Sequence, residues 1–101
     1  MPQPIEMKKT LALFSGSSNP ELADQIAEEL HMPLGNVKLE KFSNGEIYAR
    51  YMESVRGADV FIIQSIAGSS VNDALMELLI MADAAKRASA RTVTAVVTHY
   101  G

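Results

Sequence analysis

Val60-Phe61-Ile62-Ile63 is an unbroken apolar run in the middle of the chain. Successive side chains of a strand point to opposite faces, so a strand that is apolar at every position needs cover on both sides. Such cover is typical of a central strand in a parallel sheet. The apolar segments Leu11 to Ser15 and Thr92 to Thr98 predict two further strands, the second also buried.

Helical patterns occupy the intervals between these strands. Asn19 or Ser18 can cap a helix whose apolar face continues to about His31. A second helical pattern runs from about Val71 to Ala88, with Ser70 as its predicted cap. Strands that alternate with helices predict an α/β fold with a mostly parallel sheet flanked by helices.

A β-hairpin is expected beside this sheet. Val37 to Phe42 and Glu46 to Tyr51 each alternate between apolar and polar residues, and Ser43-Asn44-Gly45 separates them. Asn-Gly between two alternating runs is a strong local signal for an antiparallel turn.

The composition is that of one small domain. The chain has 101 residues, a mass of 11.0 kDa and a net charge of −3. This acidic balance, with 6% aromatic residues and no Trp, argues against a general nucleic-acid binder. Without Cys the chain can form no disulfide, thiolate metal site or catalytic thiol, which fits a reducing compartment; we expect the cytoplasm.

Residues 1–10 are expected to form a flexible N-terminal extension that precedes a single domain at 11–101. The extension lacks the apolar block of a signal peptide. No apolar run in the chain approaches the ~20 residues of a membrane span, so no membrane partner is expected.

The second predicted helix is apolar nearly all around its axis. The residues responsible are Leu75, Met76, Leu78, Leu79, Ile80 and Met81. One sheet covers only one side of a helix, so we expect a partner surface here, formed by another subunit or by sequence absent from this chain. The alternative is a helix buried deep in its own domain. If Ile63 and Leu79 are core residues, replacing either with Ala should cost about 2–5 kcal/mol.

Two strand-to-helix loops are candidate phosphate sites. Ser15-Gly16-Ser17-Ser18 could offer backbone N–H groups to an anion, although a turn followed by a helix cap is the simpler interpretation. Gly68-Ser69-Ser70 is open to the same two interpretations. His31 and His99 lack the neighbours of a metal site, so no metal ligand is predicted. No serine lies in a nucleophile-elbow motif and no two carboxylates stand out as an acid/base pair, so no catalytic residue is predicted.

The hairpin turn carries groups that suit a purine. Phe42 can stack on the base, Asn44 can donate and accept hydrogen bonds, and Glu46 can accept one from an exocyclic amine. A tight turn would use Asn-Gly without any ligand, so both interpretations stay open. Ser54 and Arg56 offer a hydroxyl and a guanidinium that could hold a phosphate.

The ordered motifs resemble a known family. They are Leu13-Phe14-Ser15-Gly16, Asn19-Pro20-Glu21-Leu22-Ala23, Phe42-Ser43-Asn44-Gly45-Glu46, Glu53-Ser54-Val55-Arg56-Gly57-Ala58-Asp59-Val60, Ile62-Ile63-Gln64-Ser65, Leu75-Met76-Glu77-Leu78-Leu79-Ile80-Met81 and Lys86-Arg87-Ala88-Ser89-Ala90. From Leu11 to Gly101 the chain resembles the amino-terminal part of ribose-phosphate diphosphokinase, also called PRPP synthetase. The resemblance implies a phosphoribosyltransferase-like fold.

The resemblance also implies a function and two sets of site residues. Family members transfer diphosphate from ATP to ribose 5-phosphate with Mg²⁺, and they assemble as dimers within hexamers. The positions matching Phe42, Asn44 and Glu46 hold the adenine of ATP bound by a neighbouring subunit. Those matching Ser54, Arg56 and Ser89 lie in or near a regulatory phosphate site.

The sequence departs from the family pattern at its end. The family continues past Thr98-His99-Tyr100-Gly101 into the residues that contact ATP, ligate the metal and bind ribose 5-phosphate. We therefore expect the 101-residue chain alone to be inactive, with the Mg²⁺ ligands outside it. The alternative role is a non-catalytic assembly module that joins full-length subunits. A flavodoxin-like small-molecule binder is a weaker third possibility, because fold alone is a poor guide to function.

Overall fold

The computed structural model describes residues 10–66 and 71–98. Its elements, in chain order, are β1 (Leu11–Ser15), α1 (Pro20–Glu29), β2 (Val37–Lys41), β3 (Ile47–Tyr51), β4 (Asp59–Ser65), α2 (Val71–Arg87) and β5 (Thr92–Thr98). The predicted order and type of these elements are confirmed. The Gly68–Ser70 loop with its predicted cap, His99 and most of the predicted extension at 1–10 lie outside the described residues.

The central strand of the main sheet is β4, as predicted. Three parallel strands lie in the order β1-β4-β5, with Leu13 beside Phe61 and Phe61 beside Thr94. Val60, Ile62 and Ile63 are almost fully buried because each face of the sheet carries a helix.

Two apolar clusters hold these layers together. On one face, α1 places Ala23 and Ala27 against Leu13 and Ile63. On the other face, the apolar side of α2 packs on Phe14, Val60 and Ile62. Asn19 begins α1, since its side-chain oxygen accepts a hydrogen bond of 3.1 Å from the N–H of Leu22.

The description of β5 as a buried strand was wrong. This strand forms an edge of the three-stranded sheet, and Val97 is half exposed. Val93 and Val96 still pack on opposite faces, against the α2 and α1 clusters respectively. At the other edge, the segment after α1 runs beside β1, where the N–H of Gly35 donates to the carbonyl of Leu13.

The hairpin forms a separate two-stranded antiparallel sheet. Val37 lies opposite Tyr51, and Lys41 lies opposite Ile47. Val37, Leu39 and Ala49 pack against the cluster formed with α2, so this hairpin extends the α2 side of the domain. In the part of the chain that the structure describes, no helix is long and apolar enough to cross a membrane.

Candidate functional site

A three-residue loop forms the tip of the hairpin. The N–H of Phe42 donates to the carbonyl of Glu46 at 2.7 Å, and the N–H of Gly45 donates to the carbonyl of Phe42 at 2.8 Å. Gly45 has φ +92°, a left-handed conformation that residues with a Cβ rarely adopt. The Asn-Gly signal therefore predicted the hairpin correctly because Gly45 supplies the positive φ that closes the loop.

The three predicted base-contacting side chains are brought together at this tip. Phe42 is 48% exposed, and Asn44 and Glu46 are also exposed. The side-chain oxygen of Asn44 is engaged within the loop, because it accepts a hydrogen bond of 3.0 Å from the backbone N–H of Glu46. Its amide nitrogen lies 3.4 Å from the Glu46 carboxylate, so amide and carboxylate face the same side of the loop.

One face of the hairpin points away from the domain. In β2 and β3 the partly buried residues alternate with exposed ones, and the exposed series contains Glu40, Tyr48 and Arg50. Phe42 and Glu46 continue that series into the loop. Tyr48, 43% exposed, therefore adds a second aromatic side chain to the same face. Tyr48 is not among the site residues predicted from the sequence, although the alternation along the strand carried the signal.

The base of the hairpin is fastened to the core through Tyr51. Its ring meets that of Phe14 edge-on, with centroids 4.6 Å apart and planes at 76°. Its hydroxyl donates a 2.7 Å hydrogen bond to the carbonyl of Met81 on α2. Burial raises the pKa of Tyr51 to about 12, because the charged phenolate would lose its hydration there.

The residues of the predicted phosphate site lie on two adjoining segments. The N–H of Arg56 approaches the hydroxyl of Ser54 at 3.3 Å, and both residues are exposed. Ser89 ends the turn after α2 with φ +70°, and its carbonyl accepts from the N–H of Gly57 at 2.9 Å. This backbone bond places the Ser54–Arg56 segment beside Ser89.

Two further cations lie near Ser54. A groove of about 410 Å³ is lined by Ser54 together with Arg50 and Arg87. Arg87 is paired with Asp83 at 2.7 Å. Arg87 lies at the end of α2, and only the folded chain brings it to the same groove as Ser54.

The loop between β1 and α1 is occupied by the chain's own polar groups. The N–H of Ser17 donates to the Glu77 carboxylate at 2.7 Å, and the Ser17 hydroxyl donates to the same carboxylate at 2.8 Å. The Ser18 hydroxyl is hydrogen-bonded to the buried side chain of Gln64 at 2.7 Å. A carboxylate here would repel a phosphate, so the contacts favour the interpretation of Ser15–Ser18 as a turn with a cap.

The described residues do not form a metal centre. Within 10–66 and 71–98, no three His, Cys, Asp or Glu side chains are placed so that they could hold a metal ion. The described residues therefore supply no dedicated protein cage for Mg²⁺, and we derive no step through it.

Comparisons with known proteins bear on the family and the fold of this chain. Residues 11–101 match the family model of the N-terminal domain of ribose phosphate pyrophosphokinase. The chain belongs to this family. It is 54% identical over 93 residues to the ribose-phosphate pyrophosphokinase of Clostridium perfringens, and 55% identical over 93 residues to that of Parasynechococcus marenigrum. These alignments cover 92% of this chain but 29% and 28% of the two relatives.

A solved structure shows the same fold. The crystal structure of phosphoribosylpyrophosphate synthetase from Mycobacterium smegmatis matches with a TM-score of 0.84 at 49% identity, over 88% of this chain and 30% of that one. The resemblance and fold class inferred from the sequence are thus confirmed. This ribose phosphate pyrophosphokinase domain spans about 30% of the length of the relatives it matches.

Proposed function

We propose that this domain supplies the adenine-recognising hairpin of a cytoplasmic, homo-oligomeric ribose-phosphate pyrophosphokinase, which makes PRPP from ATP and ribose 5-phosphate. The observation that carries this proposal is the exposed hairpin tip, where an aromatic ring, an amide and a carboxylate stand together without being used by the core. A turn alone requires only Asn44-Gly45, so it does not explain why the aromatic ring of Phe42 stays half exposed beside the Glu46 carboxylate.

The chemistry of the tip suits adenine. The ring of Phe42 offers a stacking face. The Glu46 carboxylate, which accepts from the Asn44 amide at 3.4 Å, can accept a further hydrogen bond from the exocyclic amine. The amide nitrogen of Asn44 can donate to a ring nitrogen, while its oxygen stays on the N–H of Glu46. Tyr48 on the same face extends the aromatic surface available to the base.

Assembly with other subunits is supported by α2. Leu75, Met76 and Leu79 are 43%, 52% and 57% exposed and occupy one side of that helix. The alternative in which α2 is buried within its own domain is therefore wrong. Leu79 is not a core residue, so the condition set for a large cost of Leu79→Ala is not met. We propose that a second subunit covers this apolar side. The same surface favours the second candidate role, a non-catalytic module that joins full-length subunits.

The remaining functions of the enzyme are proposed to come from outside this chain. Phosphoryl transfer depends on positioned cations and Mg²⁺ around the transferred group. The chain spans about 30% of its relatives, so we place the Mg²⁺ ligands and the ribose 5-phosphate contacts in the other part of the enzyme. Ser54, Arg56 and Ser89 are proposed to bind the phosphate of a regulator.

Photolabelling with 8-azido-ATP tests the adenine assignment on the chain itself. We expect the label on the peptide that spans residues 42–48, competition by ATP, and much weaker competition by UTP, whose base lacks an exocyclic amine. Phe42→Ala should remove the labelling, and Lys38→Met, on the neighbouring strand β2, should not. Labelling at other peptides only, or labelling that ATP does not suppress, would overturn the proposal.

A further inference from the structure

The tip of the hairpin extends beyond the contacts that join the hairpin strands to the rest of the domain. The hairpin forms no ladder with the main sheet, and its outward face is exposed. Among the described residues, two polar side-chain contacts join its strands to α2. One is the hydrogen bond from Tyr51 to Met81, and the other is the ion pair between Lys41 and Asp73, with 3.1 Å between Nζ and Oδ2.

These two contacts lie at opposite ends of the hairpin ladder. Tyr51 belongs to the residue pair farthest from the turn, and Lys41 belongs to the residue pair nearest to the turn. The two pairs are four residues apart, about 13 Å along a strand. Tyr51 therefore holds the base of the hairpin, and Lys41 holds the end that carries Phe42.

Lys41 points towards the domain, whereas its neighbours on the chain point away from it. Val37 and Leu39, in the same phase of the strand, pack against the core, but Lys41 reaches past the end of that apolar contact to the first turn of α2. A groove of about 550 Å³ lies beside the pair, and both Lys41 and Asp73 line it. The ion pair thus forms part of the wall of this groove, at the end of the hairpin that carries Phe42.

We propose that Lys41 and Asp73 are positioning residues that hold the hairpin tip at a fixed distance from the body of the domain. This inference rests on the proposed function, since the position of the tip matters if it holds a nucleobase. The pair acts on the base through Phe42, Asn44 and Glu46 and does not itself contact the base. Its side chains are 56% and 66% exposed, so its effect on global stability is small and its effect on the tip is local.

A double-mutant cycle with Lys41→Met, Asp73→Asn and the combined variant tests the pair. The first readout is the {¹H}-¹⁵N NOE of the Gly45 and Glu46 amides, which reports fast motion of the tip without any ligand. The second is 8-azido-ATP labelling of peptide 42–48. Each single variant should lower the NOE and reduce labelling about two- to fivefold, which is the range for an exposed ion pair. The combined variant should be no worse than either single one.

The controls separate positioning from other effects. Lys41→Arg keeps the charge and should retain the wild-type NOE and labelling. Lys38→Met removes a cation from the outward face of β2 and should change neither. If Asp73 acted only through the helix dipole, the effects of the two single variants would add, and that result would overturn the inference.

Failure of this inference differs from failure of the proposed function. One outcome would refute the positioning pair and leave the adenine site supported. In it, Phe42→Ala loses the labelling, whereas Lys41→Met and Asp73→Asn keep the wild-type NOE and labelling. Absence of labelling in the wild-type chain would refute the adenine site. The NOE of the same variants would then still decide whether the ion pair orders the tip.

Discussion

The hydroxyl of Tyr51, at the end of β3, donates a 2.7 Å hydrogen bond to the backbone carbonyl of Met81 in α2. This contact links the hairpin to a helix thirty residues further along the chain. Burial of the phenol at this contact disfavours the charged phenolate and raises the pKa of Tyr51 to about 12.

The raised pKa of Tyr51 predicts loss of stability at high pH. In the unfolded chain the phenol ionises near its ordinary value of 10.0, whereas in the folded chain it stays protonated to about 12. The contribution of Tyr51 is therefore complete below pH 10 and declines as the pH rises towards 12. Urea unfolding from pH 8 to 12 measures it. Tyr51→Phe should be less stable by about 0.5–1.5 kcal/mol at pH 8, and this difference should shrink above pH 10.

Gly16→Ala should destabilise the domain by about 1–3 kcal/mol. A Cβ at Gly16 would overlap the side-chain amide of Gln64. That amide cannot swing aside, because Ser18, the carbonyl of Ala74 and Glu77 hold it at 2.7, 3.0 and 2.8 Å. Urea unfolding gives the cost. In the double variant Gly16→Ala/Gln64→Ala, the loss of stability should be smaller than the sum of the two single losses, because the Gln64 amide that would clash is gone. Losses that add fully would contradict a clash with Gln64.

Ile63→Ala and Leu79→Ala should differ sharply in stability. Ile63 is 2% exposed between the sheet and α1, so its truncation leaves a cavity and costs about 2–5 kcal/mol. Leu79 is 57% exposed, and its truncation should change the unfolding free energy by less than about 0.5 kcal/mol in dilute solution. Chemical unfolding at low micromolar concentration measures both.

Self-association should depend on the exposed side of α2. Leu79→Glu places a charge among Met76 and Leu75 without touching the core cluster. Light scattering across a concentration series should show wild-type association that this variant lacks. Lys38→Gln, on β2 and away from α2, also changes the charge by −1 and is the matched control. A wild-type chain that stays monomeric at millimolar concentration would argue against the assembly proposal.

Inorganic phosphate should stabilise the chain through Arg56. Ligands that bind only the folded state raise its unfolding midpoint, and the guanidinium and the Ser54 hydroxyl are suited to phosphate oxygens. We expect a midpoint that rises with phosphate concentration at constant ionic strength, and loss of that rise in Arg56→Met. Lys38→Met should keep it. A rise that persists in Arg56→Met would place the phosphate elsewhere.

Local patterns predicted most of the fold. The apolar run at Val60–Ile63 identified the central strand because cover on both faces requires such a run. Asn44-Gly45 located the hairpin turn because a positive φ favours glycine. The tip residues were also predicted from the sequence, and their exposure agrees with the purine interpretation without testing it. These features depend on neighbouring residues only, so they can be inferred from the sequence.

Other features required the tertiary structure. Leu78 and Leu79 are equally apolar neighbours, yet the former is buried and the latter exposed, because the direction in which the sheet lies from α2 selects one side of the helix. The carboxylate of Glu77 meets Ser17 from sixty residues away, and Asp73 meets Lys41 from thirty-two. The sequence by itself determined the order of the elements and the chemistry of the hairpin tip. Only the packing of α2 between sheet and hairpin decided which polar groups meet. Those pairs form through space between distant parts of the chain, so no periodicity along the sequence predicts them.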